Sequence, residues 1–567
     1  MNDNNIEQTN MNSIAVSCEN KRLDSTSTGY AIRSIAYAKA GKSVFNFRFV
    51  VCAILFACLI AVPDSIRADI KLPAIISNNM VLQQKSAVPL WGWAKDGETI
   101  RINVSWSCNV LETVTDSNGF WTAKIDTPQS GGPYELKFID GNDVCKIENV
   151  LIGEVWLCSG QSNMEMPVAK GVRGYGGVDN YKQEIAEGNY PGIRLFFVAR
   201  NTSQEPQSDC TGQWTVCSPK TVGSFSAVAY FFGRELHKTL KVPIGLIDSS
   251  WGGTPAEAWT SRRTLESDPD FKAILTRYDE AVRKYPQAKK EYERKLQEWA
   301  DSNGVSPKPQ PPVAPEHHHQ APAGLFNAMI SPLIPYRIKG VIWYQGESNR
   351  TRAYQYRKLF PAMIANWRNA WGQGEFPFYY VQIAPFNYSI LYTPPSKENE
   401  CFCPELQEAQ FKTLSVPNTG MVVTTDISDL NDIHPKNKVE VGRRLALWAL
   451  AKNYGKTNIV YSGPLYKSMD IEDAKIRISF DNVGSGLMVK GSQLSWFTIS
   501  GEDRQFVPAN AVIDGNEVVV WSKQVKKPVA VRFGWNMVAQ PNLFNKEGLP
   551  ASPFRTDDWP GFTFDKR

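Results

Sequence analysis

Histidine is scarce in this sequence, neither sign of charge dominates, and motifs for nucleotides or structural zinc are missing. Each shortage narrows what the protein can be. The 567 residues include 62 basic and 57 acidic side chains, a net charge of +5. That balance, with no basic stripe carrying interleaved aromatics, argues against a nucleic-acid partner. No Gly-x-x-x-x-Gly-Lys-Ser/Thr loop occurs, and no Gly-x-Gly-x-x-Gly follows the first apolar strand, so nucleotide cofactors lose support. Paired CxxC spacings are absent, which argues against a zinc ribbon. No repeat of fixed period is visible. What remains is a composition ordinary for a folded globular protein of about three domains. It carries 17 Trp, 21 Tyr and 27 Phe. That richness fits β-rich modules and carbohydrate contact, although packing accounts for most aromatics.

The N-terminus reads as a targeting segment. Phe49 to Val62 is a run of 14 uncharged residues, preceded by Arg33, Lys39, Lys42 and Arg48 and followed by Ser65-Ile66-Arg67-Ala68. A charged, then apolar, then small-residue layout is that of a secretory signal. The run is short for a bilayer helix, which needs about 20 residues. The competing readings are an uncleaved anchor and a buried core helix. Cleavage makes residues 1–68 a leader, starts the mature chain near Asp69 and leaves no membrane span. Export, to the periplasm or outside the cell, permits disulfides. Seven Cys follow the leader, an odd number. Cys210 with Cys217 is the favoured bridge and Cys108 with Cys145 a second, while Cys158 reads as a small buried hydrophobe.

Alternating apolar and polar runs broken by turn signals make residues 69–147 a β-sandwich-like domain. Between 148 and 455 apolar strands alternate with helices, which predicts a parallel α/β sheet. The strands are Val150–Leu157, Ile193–Val198, Ile244–Asp248, Gly340–Tyr344, Phe378–Ile383 and Gly420–Thr424. A charged helical and Pro-rich insert at about 264–322 interrupts this domain and ends near His317-His318-His319, a run able to ligate a metal, to sit in solvent or to edge a site. Residues 456–567 return to β.

Small-polar loops follow four of these strands: Cys158-Ser-Gly-Gln-Ser-Asn-Met-Glu-Met, Ser249-Ser-Trp-Gly-Gly-Thr-Pro, Gln345-Gly-Glu-Ser-Asn and Asp426-Ile-Ser-Asp-Leu-Asn-Asp-Ile-His-Pro. In a parallel sheet the strand C-termini share one edge, and ligands bind there. Ser, His, carboxylates, glycines and an amide on one edge are the parts of an acyl-transfer site. Cys/His ligand clusters are absent from these loops, so neither a metal nor any other cofactor is expected. Among the five His, three lie in the insert and His237 lies on a helix, which leaves His434 as the base.

The motifs Ser159-Gly-Gln-Ser-Asn-Met, Trp251-Gly-Gly-Thr-Pro-Ala-Glu-Ala-Trp, Trp343-Tyr-Gln-Gly-Glu-Ser-Asn and Asp432-Ile-His-Pro resemble those of the sialate O-acetylesterase family of SGNH-type hydrolases. The likeness extends to Phe497-Thr-Ile-Ser-Gly-Glu-Asp-Arg-Gln-Phe and to residues 542–557. It implies a flavodoxin-like three-layer domain, here flanked by N- and C-terminal accessory β domains. It also implies hydrolysis of acetyl esters on sugars through a serine acetyl-enzyme. Carried over, Ser162 is the nucleophile. Oxyanion donors are the backbone N–H of Ser162, a backbone N–H of Gly252 or Gly253, and the Gln345 amide, which could instead hold its own loop. The family commonly places an Asp three residues before the His; here that residue is Asn431. Asp432, Asp429 and Glu347 are therefore the options for the third member, Asp432 favoured and Glu347 second, with helix capping as the alternative role for Asp432. The expected substrate is acetylated sialic acid, with acetylxylan or another hemicellulose as the alternative. A non-catalytic glycan-binding protein is the rival outside the class.

Overall fold

The computed structural model describes residues 70–141, 143–302, 306–391 and 397–567. The expected leader and signal peptide lie outside the described residues. Among the described residues no helix is long and apolar enough to cross a membrane.

The strands that build and border the site are, in chain order, β1 (Val81–Gln83), β2 (Ala87–Trp93), β3 (Thr99–Val104), β4 (Leu111–Val114), β5 (Phe120–Asp126), β6 (Gly131–Asp140), β7 (Asp143–Gly160), β8 (Tyr190–Val198), β9 (Gly212–Cys217), β10 (Ile244–Ser250), β11 (Gly340–Tyr344), β12 (Phe378–Val381) and β13 (Thr419–Val422). The central order is β13-β12-β11-β7-β10-β8-β9. All neighbours run parallel except β9, which lies antiparallel to β8 at the edge.

β7 explains how the N-terminal β region joins this sheet. Residues 143–149 mix exposed and covered positions, whereas 150–160 are all buried. The first half pairs antiparallel with β6, and the second half sits between β10 and β11. A strand with one face in solvent alternates, and one covered on both faces does not. The expected junction at 147/148 thus lies inside a single strand.

Side-chain alternation sorts the sheet's two faces. Trp156, Cys158, Ile342 and Tyr344 pack with α2 (Ala227–Leu240) and α6 (Lys438–Asn453). Val155, Leu157, Val341 and Trp343 pack on the other side with α4 (Ala353–Trp371). α2 and α6 touch closely because a Cβ on Gly442 would lie 2.6 Å from both Phe231 Cβ and Phe232 N. The remaining helices used below are α1 (Ser162–Glu165), α3 (Lys272–Asp301) and α5 (Lys397–Lys412).

Past residue 456 the chain forms two small antiparallel sheets of four strands each and a two-stranded one, Leu487–Val489 with Leu543–Asn545. They share a core that includes Ile476, Ile478, Val518, Val520 and Phe533. Arg555 ties this region to α5 by an ion pair with Glu408 at 3.1 Å, and Gln382, just past β12, donates to Ser552 Oγ at 3.0 Å.

The expected disulfides do not form: Cys108, Cys145, Cys158, Cys210 and Cys217 are all free thiols. Cys217 ends β9 and is buried with the α2 layer, whereas Cys210 precedes that strand and packs on the opposite core. An extended strand of about 3.3 Å per residue holds the two far beyond bridging distance.

Candidate active site

Four strand ends meet where the sequence places them. β7 delivers Gly160 at φ 142°, where a Cβ would lie 2.2 Å from Tyr344 O. Only glycine allows this approach. Gln161 then anchors the turn: its N–H donates to Tyr344 O at 3.0 Å, and its side-chain oxygen accepts from Gly346 N and Ser348 N, both at 3.3 Å. Ser162 opens α1, half-buried, on the wall of a cavity of about 440 Å³ that Gly252, Gly253, Glu347 and His434 also line.

His434 faces Tyr175 edge-on, ring centroids 5.3 Å apart. Burial and then the Lys438 charge hold the imidazole below its ordinary value, against Asp432 and Glu165. The neutral ring, the form able to accept a proton, is therefore favoured. Asp432 Oδ1 lies 3.6 Å from His434 Nδ1. The same oxygen accepts the His434 backbone N–H at 2.9 Å, so Asp432 fixes the turn carrying the imidazole. The helix-capping alternative fails, because α6 starts at Lys438 and its cap is Asn437. Asp429 accepts from Asn431 N in its own turn. Among the described residues no hydrogen bond joins Ser162 to His434; the two share the cavity wall.

Glu347 is placed differently from expectation. Its Oε1 accepts from Asn163 Nδ2 at 2.7 Å, and its fully buried Oε2 has no hydrogen-bond partner. Burial raises its pKa. Asn163 also donates to Ile433 O at 3.0 Å and accepts from Lys438 Nζ at 2.5 Å. Lys438 is fully buried, and that burial brings its pKa down to about 7. Glu347 thus belongs to a buried Glu–Asn–Lys network that holds the backbone ahead of His434, and it makes no hydrogen bond to the imidazole.

The oxyanion expectations divide. Gln345 is completely buried; its amide N–H groups go to Asn349 Oδ1 at 2.7 Å and Thr254 O at 3.2 Å, and its oxygen accepts from Tyr356 at 3.0 Å. Both donors are occupied and the residue lies off the cavity wall, so Gln345 braces its loop. The Gly252 N–H is also taken, by Glu165 Oε2 at 2.7 Å. The Ser162 and Gly253 N–H groups have no acceptor among the described residues. Ser162 is free in this way because the first N–H groups of a helix have no intrahelical partner.

Several residues of the site escaped the sequence reading. Glu165, three positions after Ser162, is fully buried and accepts from Tyr175 at 2.9 Å, from Arg200 Nε at 2.6 Å and from Gly252. The i, i+3 spacing on α1 was its signal. Arg200 lies just past the C-terminus of β8, and the sheet-edge rule would have found it; it also sits over the Trp251 ring at 5.6 Å. His319 stacks on Trp251 at 5.5 Å and His318 on His319 at 4.6 Å, so the insert edges this cavity. Behind the site, Asp248 at the end of β10 is fully buried, and burial pushes its carboxyl up to about 7 despite a Ser250 hydroxyl donating at 2.6 Å.

The profile of a family described as carbohydrate esterase, sialic acid-specific acetylesterase, matches residues 152–297 and 319–451. The chain is 34% identical over 537 residues to the sialate O-acetylesterase of Rattus norvegicus, covering 85% of this chain and 94% of that one. Against the Homo sapiens sialate O-acetylesterase the identity is 30%, covering 87% and 94%.

The chain belongs to the sialate O-acetylesterase family.

Among solved structures, a carbohydrate acetylesterase from Xanthomonas citri superposes with a TM-score of 0.73 at 36% identity, covering 86% of this chain and all of that one. Family membership and this structural likeness make the protein a carbohydrate O-acetylesterase. The expected class of activity stands, and the non-catalytic glycan-binding alternative does not.

Proposed function

We propose that this esterase removes acetyl groups from O-acetylated sialic acid through an acetyl-enzyme on Ser162. The observation that carries the reading is the cavity wall. It joins Ser162, held at a strand-to-helix turn, to an imidazole kept neutral by burial, beside two unpaired backbone N–H groups. In the first step Ser162 Oγ attacks the acetyl carbonyl carbon and its proton passes to His434 Nε2. Asp432 faces Nδ1 and favours the tautomer and the imidazolium that this requires. Negative charge collects on the carbonyl oxygen, where the Ser162 and Gly253 N–H groups receive it. Collapse breaks the ester C–O bond, His434 returns the proton to the departing sugar oxygen, and water then releases acetate by the same sequence. Catalytic hydrogen bonds are commonly long before substrate binds and tighten in the complex, which suits the loose Ser162–His434 placement.

The sialate preference is supported by the likeness to the sialate O-acetylesterases of Rattus norvegicus and Homo sapiens; acetylated xylan-type glycans are the competing substrates. We further infer an SGNH-type catalytic layer with accessory β modules on either side, and export directed by the charged and apolar N-terminal pattern. Ser162→Ala tests the mechanism: folded protein with turnover of an aryl acetate down on the order of 10³-fold or more is expected. Near wild-type turnover would overturn it. Acetate release from O-acetylated sialic acid, compared with acetylated xylan and pectin fragments, tests the substrate.

A further inference from the structure

A second cavity, of about 400 Å³, adjoins the first, and Ser348 lines both. One wall is α3, where Ile274, Arg277, Tyr278 and Ala281 line the space. Their spacing of i, i+3, i+4 and i+7 places them on one helix face. That selection is notable because α3 is otherwise largely solvated, with Ile274 its sole fully buried residue. Val313 and Pro315 of the Pro-rich segment form the opposite wall. The floor is polar: Glu257 and Arg352 pair at 2.9 Å.

One feature of this floor points to a ligand. Glu257 and Arg352 present an acceptor and a donor side by side on the cavity lining, the pattern that neighbouring hydroxyl groups of a sugar satisfy together. Tyr278, Ile274, Val313 and Pro315 supply the apolar and aromatic surface against which the C–H face of a pyranose ring packs. Arg277 adds a further donor at the rim, 3.9 Å from Glu257, while also donating to the Arg567 main-chain oxygen. The floor is held by the strand-end loops themselves, since Asn349 Nδ2 donates to Glu257 Oε2 at 2.8 Å and Asn349 Oδ1 receives the Gln345 amide.

We propose that this cavity is a subsite for the sugar unit glycosidically linked to the acetylated one, so that the insert selects oligosaccharide esters over free monosaccharide esters. The proposal rests on the carbohydrate esterase reading of the adjoining cavity. The test is kcat/KM for acetate release from O-acetylated sialyllactose and from free O-acetylated sialic acid. O-acetylated xylobiose and xylose serve as a second pair. Wild-type protein should prefer the longer member by about tenfold, equivalent to ~1.4 kcal/mol of added binding. Tyr278→Ala and, separately, Arg277→Ala should bring that ratio close to one, mainly through KM. Arg277 is exposed, so its variant guards against a folding defect in the other. A length preference on the xylose pair alone would replace the sialate reading and still support the subsite. A wild-type ratio near one on whichever pair is hydrolysed would overturn it, as would a ratio that both variants leave intact. Acetate from neither pair would refute the underlying reading and the subsite together.

Discussion

The loops after β7 and β11 look alike in sequence, Gly160-Gln-Ser-Asn-Met against Gln345-Gly-Glu-Ser-Asn, yet they do different work. In the β7 loop Ser162 presents its hydroxyl and an unpaired N–H to the cavity. In the β11 loop Gln345 spends its oxygen and both N–H groups on Tyr356, Thr254 and Asn349, and Glu347 is drawn back to Asn163. A preorganised transition-state donor has to be unpaired before the charge arrives. A buried amide with every group satisfied is scaffold. The lesson is that a polar strand-end motif reports a site as a whole, and the hydrogen-bond inventory decides which of its residues can do chemistry there.

The sharpest way to break this division is to remove a group on each side. His434→Ala should lower kcat on the order of 10³-fold, like Ser162→Ala, and combining the two should cost little more because the residues act as a unit. Additive losses in steady-state kinetics would show that the two do not work together.

Gln345→Ala should act on stability. It strips the acceptor from the buried Tyr356 hydroxyl, at about 1–3 kcal/mol for that unsatisfied group, and leaves Asn349 Oδ1 with the Ala256 N–H alone. A lowered melting temperature accompanied by a smaller kcat loss than for His434→Ala is expected. A selective loss of about 10²-fold in kcat at unchanged melting temperature would return Gln345 to the oxyanion hole.

The pH profile sharpens the assignment of the base. His434 is held below its ordinary value of 6.5, and only the neutral ring accepts the serine proton. Activity should rise with pH through an acid limb centred below 6.5, since protonation at lower pH removes the base. A limb centred above that value in kcat/KM would point to a different group.

The smallest effect concerns Asp248. Its folded pKa, about 7, lies above the ordinary 3.8. The folded state therefore holds the proton more tightly than the unfolded state, and stability falls as pH rises from about 4 through 7. Asp248→Asn removes that loss. Its melting temperature should exceed wild type by more at pH 8 than at pH 5, by a margin of about 1 °C for each kcal/mol in a unit of this size. A margin independent of pH would mean that the carboxyl is not titrating as its burial implies.

The sheet and the edge that carries the site were legible because strands buried on both faces are written as largely apolar runs, as in Gly340–Tyr344, with polar loops after them. The junction with the N-terminal β region was harder to place, since one strand changes from half-exposed to fully buried without a turn signal. Strand β9 was missed because Gly212–Cys217 is a short edge strand with mixed burial. With no strand expected there, the Cys210–Cys217 bridge stayed open to the sequence reading. His434 was singled out by elimination and Ser162 by the family resemblance, and both lie on one cavity wall. The status of Gln345, Gly252 and Glu347 could not be read, because it depends on partners 91, 87 and 184 positions away along the chain. Glu165 and Lys438 were hidden for the same reason, their roles being set by what surrounds them in space.

The central claim is that Ser162 carries the acetyl group between the sugar and water. Brief reaction of the protein with an activated aryl acetate, quenching in acid and peptide mapping by mass spectrometry would locate that group. The account predicts a single added acetyl on the peptide containing Ser162, absent from Ser162→Ala. An acetyl on another residue, together with undiminished turnover by Ser162→Ala, would contradict it.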